Sequence, residues 1–272
     1  SWDSSTMTWN SGAPNHNGYE ITGEGKYIDY IERALLNGIM GSINDKGCKT
    51  YYQYMYFNAR KIYHGKVSGF WCCTGTGMEN FAKVVEAIYH EKDENTVQYN
   101  VFISSTYTDG TFAADMVCED EHTEITVTAG GSKTLALRVP YWSENPVLKV
   151  NGEAVEVKAN ADGYVLLTRE WKAGDTIKYD TPYKGWVIKA QDNEDMFSIM
   201  YGPYLMAAIG KLDSIEMAGS YTDGWLGTLT GRITRNAEGE YVLDTGEYQM
   251  TMQKYGMVKK GYFTVYFQRS DS

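Results

Sequence analysis

The sequence predicts a mixed α and β protein in which a helical part precedes an antiparallel β-sandwich. Two observations predict this class. Near the start of the chain, apolar residues recur every three to four positions, as they do on one face of a helix. From about residue 96 they alternate in short runs that are separated by turn residues. We therefore expect a helical domain at 1–95, a β-sandwich at 96–210, and an extension at 211–272 that returns to a sheet.

The helical part contains two predicted helices. The first covers about 25–41. Its apolar face is formed by Ile28, Ile31, Leu35 and Ile39. An aromatic-rich stretch at 50–57 follows and is expected to be extended. The second helix begins near Thr76, which has the form of a capping box with Glu79, and it runs to about His90.

Short alternating runs and turn residues define the β part. Strands are predicted at 96–103, 124–129 and 133–140. Hairpins are predicted around Asn151-Gly152 and around Ala173-Gly174-Asp175. Further along, the sequence predicts a buried strand at 196–210 that leads into a connection, and a return to a sheet at 262–267.

Charge and hydropathy exclude two classes of partner. The formal net charge is -10, and no run of basic residues is present to neutralise a phosphate backbone, so we expect no nucleic acid partner. No apolar run approaches the roughly 20 residues that a membrane span needs, so we expect no membrane segment. The compartment and the oligomeric state stay open.

Two of the four cysteines, Cys72 and Cys73, are adjacent and lie just ahead of the second predicted helix. Neighbouring cysteines rarely bridge to each other, because the ring is strained. A helix N-terminus stabilises a thiolate over the thiol, so a lowered pKa is expected for either side chain. Three interpretations stay open: two small buried residues, part of a metal site, or a nucleophile.

Three segments resemble the β-L-arabinofuranosidase family, glycoside hydrolase family 127 and its relatives. They are SGFWCCTGTGMENFAK at 68–83, KYIDYIERALLNGIM at 26–40 and MYGPYLMAA at 200–208. The resemblance implies a segment of an (α/α)6 barrel followed by the β-sandwich. It also implies a retaining glycosidase that acts on plant-type glycans through a cysteine nucleophile. Leu36 stands where the family usually has Tyr.

The resemblance also implies residue roles. Cys72 is the nucleophile, and Cys72 and Cys73 are ligands of a zinc cofactor that holds the nucleophile deprotonated. Glu32 contacts the sugar, and Tyr52 lines the same pocket. Without the resemblance, Glu32 is equally well a solvated helix glutamate, and Tyr52 a core tyrosine.

The sequence departs from the family pattern at its start. The family's zinc site also uses a Glu and a Cys from an ETC motif, and its acid/base glutamate lies earlier still, whereas residues 1–18 contain neither Glu nor Cys. We therefore expect a C-terminal portion of such an enzyme that is inactive or nearly so by itself. Whether Cys48 or Cys118 replaces a lost ligand is open.

A noncatalytic carbohydrate-binding β-sandwich is the alternative function. Its candidate exposed aromatic residues are Trp142, Trp171, Trp186 and Trp225. Core positions are nevertheless the more common place for such side chains. A vicinal-dithiol redox protein is disfavoured because the C-x-x-C spacing is absent.

Overall fold

A computed structural model describes residues 19–20, 22–69, 71, 75, 81, 84–217 and 223–269. These residues form a mixed structure that is mostly β-sheet, with short helices. Their contacts divide them into two units. The sandwich unit contains 19–32 and 84–183, and the mixed unit contains 33–81 and 184–269. The predicted domain limits and the predicted (α/α)6 segment stay predictions.

The first predicted helix is present, but only its first part is α-helical. Helix α1 covers Gly25–Arg33, and the chain continues as a π-helix at Ala34–Ile39 and a 3₁₀ turn at Met40–Ser42. Asn37 is buried within the π-helix. Its side-chain amide donates to the carbonyl of Arg33 at 2.8 Å, so a side chain competes with the backbone ladder at the point where the helix widens.

The end of the second predicted helix is wrong. The described part of this helix, α2, covers Val84–Ile88, and the chain then turns directly into strand β1 at Tyr89–Asp93. His90 therefore lies in a strand, where it is paired with Gln98. The predicted capping residues, Thr76 and Glu79, lie outside the described residues.

Two sheets with a shared apolar core form the sandwich unit. One sheet has the order β1-β2-β6-β9, and the other has the order β3-β4-β5-β10-β7-β8. The remaining strands are β2 Thr96–Tyr99, β3 Ser105–Thr108, β4 Ala113–Glu119, β5 His122–Ala129, β6 Gly131–Arg138, β7 Val147–Val150, β8 Glu153–Val155, β9 Tyr164–Trp171 and β10 Thr176–Asp180. Both sheets contribute to one buried cluster, for example through Leu135 and Leu167 from the first and Ile125 and Ile177 from the second.

The strand pairing of this unit corrects two expectations. The sandwich is not wholly antiparallel, since β2 pairs with β6 in parallel. The turn at Gly174 does not close a hairpin, because β9 pairs with β6 while β10 pairs with β5 and β7 in the other sheet. That turn is instead bound to β5, where Val127 exchanges backbone hydrogen bonds with Gly174 and Asp175. The hairpin at Asn151-Gly152 is confirmed, with positive φ at both residues, as a tight turn between β7 and β8 requires.

A sheet of nine strands, with order β14-β19-β12-β13-β17-β16-β15, dominates the mixed unit, and β11 and β18 pair with β12 and β13. Its elements are β11 Gly185–Lys189, β12 Met196–Tyr201, β13 Tyr204–Ile209, β14 Glu216–Met217, α3 Asp223–Gly227, α4 Leu229–Arg232, β15 Ile233–Arg235, β16 Tyr241–Asp244, β17 Gln249–Lys254, β18 Phe263–Thr264 and β19 Phe267–Arg269. The predicted strand at 196–210 is two strands, and the predicted return to a sheet at 262–267 is confirmed.

The aromatic-rich stretch at 50–57 is held at its start by a single bridge between Thr50 and Tyr63. It forms no regular strand. Among the described residues, none of the helices has the length and apolar character needed to span a membrane.

We expect Gly130→Ala to destabilise the sandwich unit, and Gly131→Ala to have little effect. A Cβ added at Gly130 would overlap the carbonyl oxygen of Trp171, whereas one added at Gly131 meets nothing within 4 Å. Since backbone cannot move aside cheaply, the loss should be about 1–3 kcal/mol for the first variant. Urea unfolding of both variants measures this difference, and equal midpoints would contradict the close approach of these two chain segments.

Candidate functional site

The structure describes two of the four predicted site residues. Cys72 and Cys73 lie outside the described residues. Glu32 belongs to the sandwich unit and Tyr52 to the mixed unit, so each is described within its own unit.

Glu32 is a buried, fully engaged carboxylate. It lies near the end of α1 and is only 2% exposed. One oxygen, Oε2, accepts a hydrogen bond from Trp142 Nε1 at 2.7 Å, and the other, Oε1, is 2.5 Å from Arg138 Nη2. The interpretation as a solvated helix glutamate is therefore wrong. A contact between Glu32 and a sugar stays a prediction.

Arg138, at the end of β6, connects α1 to the sheet. Its guanidinium is buried, forms ion pairs with both Glu32 and Asp29, and donates from Nε to the carbonyl of Asn100 at 2.6 Å. Burial works to lower the pKa of Arg138, but the carboxylates of Glu32 and Asp29 outweigh it, so the pKa is raised. The guanidinium is therefore permanently charged.

A network of neutral polar groups continues from Asn100. Its side-chain oxygen accepts from the hydroxyl of Tyr164 at 2.7 Å, and its amide donates to the hydroxyl of Tyr19 at 2.8 Å. The Tyr19 hydroxyl in turn donates to Gln98 at 2.7 Å. Burial raises the pKa of Tyr19 to about 12, so its hydroxyl stays protonated and remains a donor. Each buried polar group here has a partner, which makes the network rigid.

A set of aromatic rings, half of them exposed and half of them half-buried, lies in the mixed unit and ends directly before the cysteine pair in sequence. We call it the aromatic cluster; its members are Tyr51, Tyr52, Tyr54, Tyr56, His64 and Trp71. The ring of Tyr51 is central, with its centre 4.4 Å from that of Tyr52 and 5.0 Å from that of Trp71. Tyr52 is 49% exposed and Trp71 is 56% exposed. The interpretation of Tyr52 as a core tyrosine is therefore wrong.

Sequence reasoning selected only Tyr52 and missed the other five members of this cluster: Tyr51, Tyr54, Tyr56, His64 and Trp71. The aromatic-rich stretch and the position of Trp71 one residue before Cys72 were the signals that could have found them.

The backbone N–H of His64 donates to the carbonyl of Lys49 at 2.9 Å, and the ammonium of Lys49 lies 4.3 Å from the ring centre of Phe81. Burial lowers the pKa of Lys49 to about 8.

The tryptophans that were candidates for glycan binding are mostly covered. Trp142 and Trp171 are buried, and their indole N–H groups donate to Glu32 and to the carbonyl of Lys133. Trp186 and Trp225 are half-buried against the cores of the mixed unit. The first two are therefore core residues and offer no surface to a glycan.

No group of three or more His, Cys, Asp or Glu side chains is placed to hold a metal ion in the described part of the chain. Cys48 and Cys118 are free thiols there, both half-buried. Burial raises the pKa of Cys118 to about 11, which makes it a poor thiolate donor. The described residues therefore contain no zinc site of their own.

Family models match two parts of the chain. The model described as β-L-arabinofuranosidase, GH127 catalytic domain, matches residues 8–86, and the GH127 middle domain model matches residues 96–183. Among curated proteins, the chain is similar to a non-reducing end β-L-arabinofuranosidase of Bifidobacterium longum subsp. longum. The two are 30% identical over 188 residues, which is 58% of this chain and 27% of that protein.

Solved structures share the fold. A glycoside hydrolase matches with a TM-score of 0.73 and 16% identity, covering 98% of this chain and 52% of its own. A GH127 β-arabinofuranosidase gives 0.74 and 18%, covering 98% and 49%. A GH127 β-L-arabinofuranosidase from Geobacillus stearothermophilus T6 gives 0.66 and 19%, covering 94% and 48%. The chain thus spans about half the length of these structures and about a quarter of the curated relative.

We expect Arg138→Met to lower the free energy of unfolding by about 3–5 kcal/mol, because it leaves the carboxylate of Glu32 buried without a counter-charge. The double variant Glu32→Gln/Arg138→Met should lose less than Arg138→Met alone, since the glutamine is uncharged and still accepts from Trp142. Urea unfolding of the single and double variants measures the coupling.

Arg169→Met is the matched control for this cycle, because Arg169 is an exposed arginine on the neighbouring strand β9. Its loss should stay within about 0.5 kcal/mol. If Arg138→Met behaved like Arg169→Met, the buried ion pair would not stabilise the sandwich unit.

Proposed function

Because the chain belongs to the glycoside hydrolase family 127 β-L-arabinofuranosidases, we propose that it contributes to retaining hydrolysis of β-L-arabinofuranosides, with Cys72 as the nucleophile. One observation carries the proposal: the exposed aromatic cluster ends at Trp71, the residue that precedes Cys72. A sugar platform and a thiol are thus adjacent in the chain. The substrate and the role of each residue below are part of this proposal.

The aromatic cluster supplies the binding surface. Exposed indole and phenol rings stack on the C–H face of a sugar and offer a polar edge to its hydroxyls. Tyr52 and Trp71 have the exposure that such stacking needs, and Tyr51 holds both rings in place by edge contacts. Glu32 is a weaker candidate for sugar contact, because both of its oxygens already have protein partners.

The chemistry is a double displacement. The thiolate of Cys72 attacks the anomeric carbon, and the bond from that carbon to the leaving oxygen breaks. A carboxylic acid gives its proton to the leaving oxygen. The carboxylate that remains then takes a proton from water as that water attacks the same carbon, the carbon–sulfur bond breaks to release the Cys72 thiolate, and the sugar leaves with its original configuration. The acid is unassigned in this chain, so aryl glycosides, whose leaving groups need little protonation, are the substrates of choice for a test.

Zinc is proposed from the donor set alone. Two adjacent thiolates, from Cys72 and Cys73, are donors that zinc prefers, and a bound zinc ion would hold the thiol of Cys72 deprotonated at neutral pH. A structural zinc site takes four ligands, so two more are needed besides Cys72 and Cys73, and they are unassigned in this chain. No step above depends on the metal.

We expect p-nitrophenyl β-L-arabinofuranoside to give a burst of p-nitrophenol and to add one pentose residue to the Cys72 peptide in mass spectra. Once a chelator has removed any zinc, iodoacetamide at pH 7 should label Cys72 much faster than Cys118, because burial raises the pKa of Cys118 to about 11. Cys72→Ser should abolish the burst, and Cys118→Ser should leave it unchanged. Elemental analysis of the same sample measures zinc.

A burst that persists in Cys72→Ser would remove Cys72 from the mechanism. If no thiol reacts, no zinc is present and no burst appears, but the chain still binds the aryl glycoside, the carbohydrate-binding alternative is the correct function. Zinc at one equivalent with Cys72 protected until a chelator is added would support the metal part of the proposal.

We expect Tyr52→Ala and Trp71→Ala each to weaken binding of the aryl glycoside by roughly threefold to tenfold, as expected for one stacked ring. Binding is measured by calorimetry in the Cys72→Ser background, which separates it from reaction. Tyr248→Ala is the matched control, because Tyr248 is a similarly exposed tyrosine outside the cluster. An equal loss in all three variants would contradict a role for the aromatic cluster.

A further inference from the structure

Three chain segments of the mixed unit meet at one place and are locked together by backbone hydrogen bonds. Ala59 and Phe263 exchange two of these bonds, at 2.8 and 2.9 Å. The N–H of Gly210 donates to the carbonyl of Tyr262 at 2.9 Å. The side chain of Asn58 takes the place of a strand partner, since it both donates to and accepts from the backbone of Leu212. The backbone that carries Arg60, Lys211 and Tyr262 is therefore fixed at this place.

The three segments are basic, although the chain as a whole is acidic. Residues 58–62, 210–212 and 257–263 contain five cations and no carboxylate, whereas the formal net charge of the chain is -10. The cations are Arg60, Lys61, Lys211, Lys259 and Lys260. Concentrated charge of one sign raises the local potential and attracts anions to this part of the surface.

Two of these cations share one aromatic ring. The guanidinium of Arg60 is 5.1 Å from the ring centre of Tyr262, and the ammonium of Lys211 is 4.7 Å from it. Both cations are exposed. Within the described ranges, neither pairs with a carboxylate. We call Arg60, Lys211 and Tyr262 the cation patch.

Because both cations lie over the ring of Tyr262, the two like charges are no more than about 10 Å apart, the sum of their distances to the ring centre. Attraction to the ring face favours both cations at this position, and an anion bound beside the ring would interact favourably with each of them. The outward N–H groups of a guanidinium and an ammonium are the donors that bind a carboxylate best. The cation patch thus resembles an assembled anion site.

We propose that the cation patch binds the carboxylate of an acidic sugar residue, a hexuronate within a polysaccharide. The choice of a glycan rests on the proposed function, because the family acts on carbohydrate. The size of the patch supports a single carboxylate: a nucleic acid would bring a continuous row of phosphates against a chain of net charge -10. The site would hold the polysaccharide and would take no part in bond cleavage.

The test is calorimetric titration of the full chain with polygalacturonate at low salt, with neutral arabinan as the comparison ligand. Arg60→Gln/Lys211→Gln should weaken polygalacturonate binding on the order of tenfold, as expected for the loss of two charge-assisted contacts. Tyr262→Leu should weaken it by a smaller factor, because both cations remain but lose their common support. Raised salt should weaken binding to the parent chain and change little in the double variant.

Lys158→Gln/Lys172→Gln is the matched control, since it removes two exposed positive charges from the sandwich unit. It should bind polygalacturonate like the parent chain. Unchanged binding in Arg60→Gln/Lys211→Gln, an equal loss in the control, or equally tight binding of inorganic polyphosphate would each overturn the proposal. Cys72→Ser should retain polygalacturonate binding, so a failure of the proposed glycosidase chemistry would leave this result unaffected.

Discussion

The buried guanidinium of Arg138 is the constraint on which the sandwich unit depends. A cation taken out of water costs several kcal/mol unless carboxylates and carbonyls replace the solvent. Glu32 and Asp29, one turn apart on α1, supply the charge, and Asn100 supplies a carbonyl. Helix α1 can therefore occupy only the position that brings both carboxylates to the end of β6. Trp142 completes the shell of Glu32, which explains why this tryptophan is buried.

Local features of the fold were predictable from sequence, and long-range pairing was not. The alternation of apolar and polar residues predicted β5 and β6, and Asn151-Gly152 predicted a hairpin. Both patterns span only a few residues, so the sequence alone was enough to recognise them. The turn at Gly174 carries the same local signal, but it leads from one sheet into the other. What decides that difference is the hydrogen bonding of the turn to Val127, which lies far away in sequence. The parallel pairing of β2 with β6 likewise joins residues that are distant in sequence, so no local pattern predicts it.

The candidate site was predictable to the extent that its residues are neighbours in sequence. The adjacent cysteines and the aromatic-rich stretch stand out by residue type and spacing, whereas Tyr52 and the role of Cys72 were selected through the family resemblance. The environment of Glu32 was not accessible in this way, since its partners Arg138 and Trp142 are more than one hundred residues away. Without the family resemblance, Glu32 was expected to be solvated, but it is buried and ion-paired. Tyr52 was expected to lie in the core, but its ring is exposed.

The cations of the three basic segments in the mixed unit fall into two groups with different surroundings. The ammonium of Lys61 donates to the carbonyl of Gly41 at 2.8 Å, and that of Lys259 donates to the carbonyl of Ile43 at 2.7 Å. These carbonyls come at the end of the helical segment, where backbone acceptors lack helical partners and negative partial charge collects. Burial, with a smaller contribution from the charge of Lys259, lowers the pKa of Lys61 to about 7. The protein environment therefore destabilises the charged form of this side chain. Neighbouring Arg60 meets no such carbonyl and instead lies over the ring of Tyr262 at the surface. The lysines that cap the helical segment are thus occupied by backbone carbonyls, whereas the exposed cations of the cation patch are accessible to an anion.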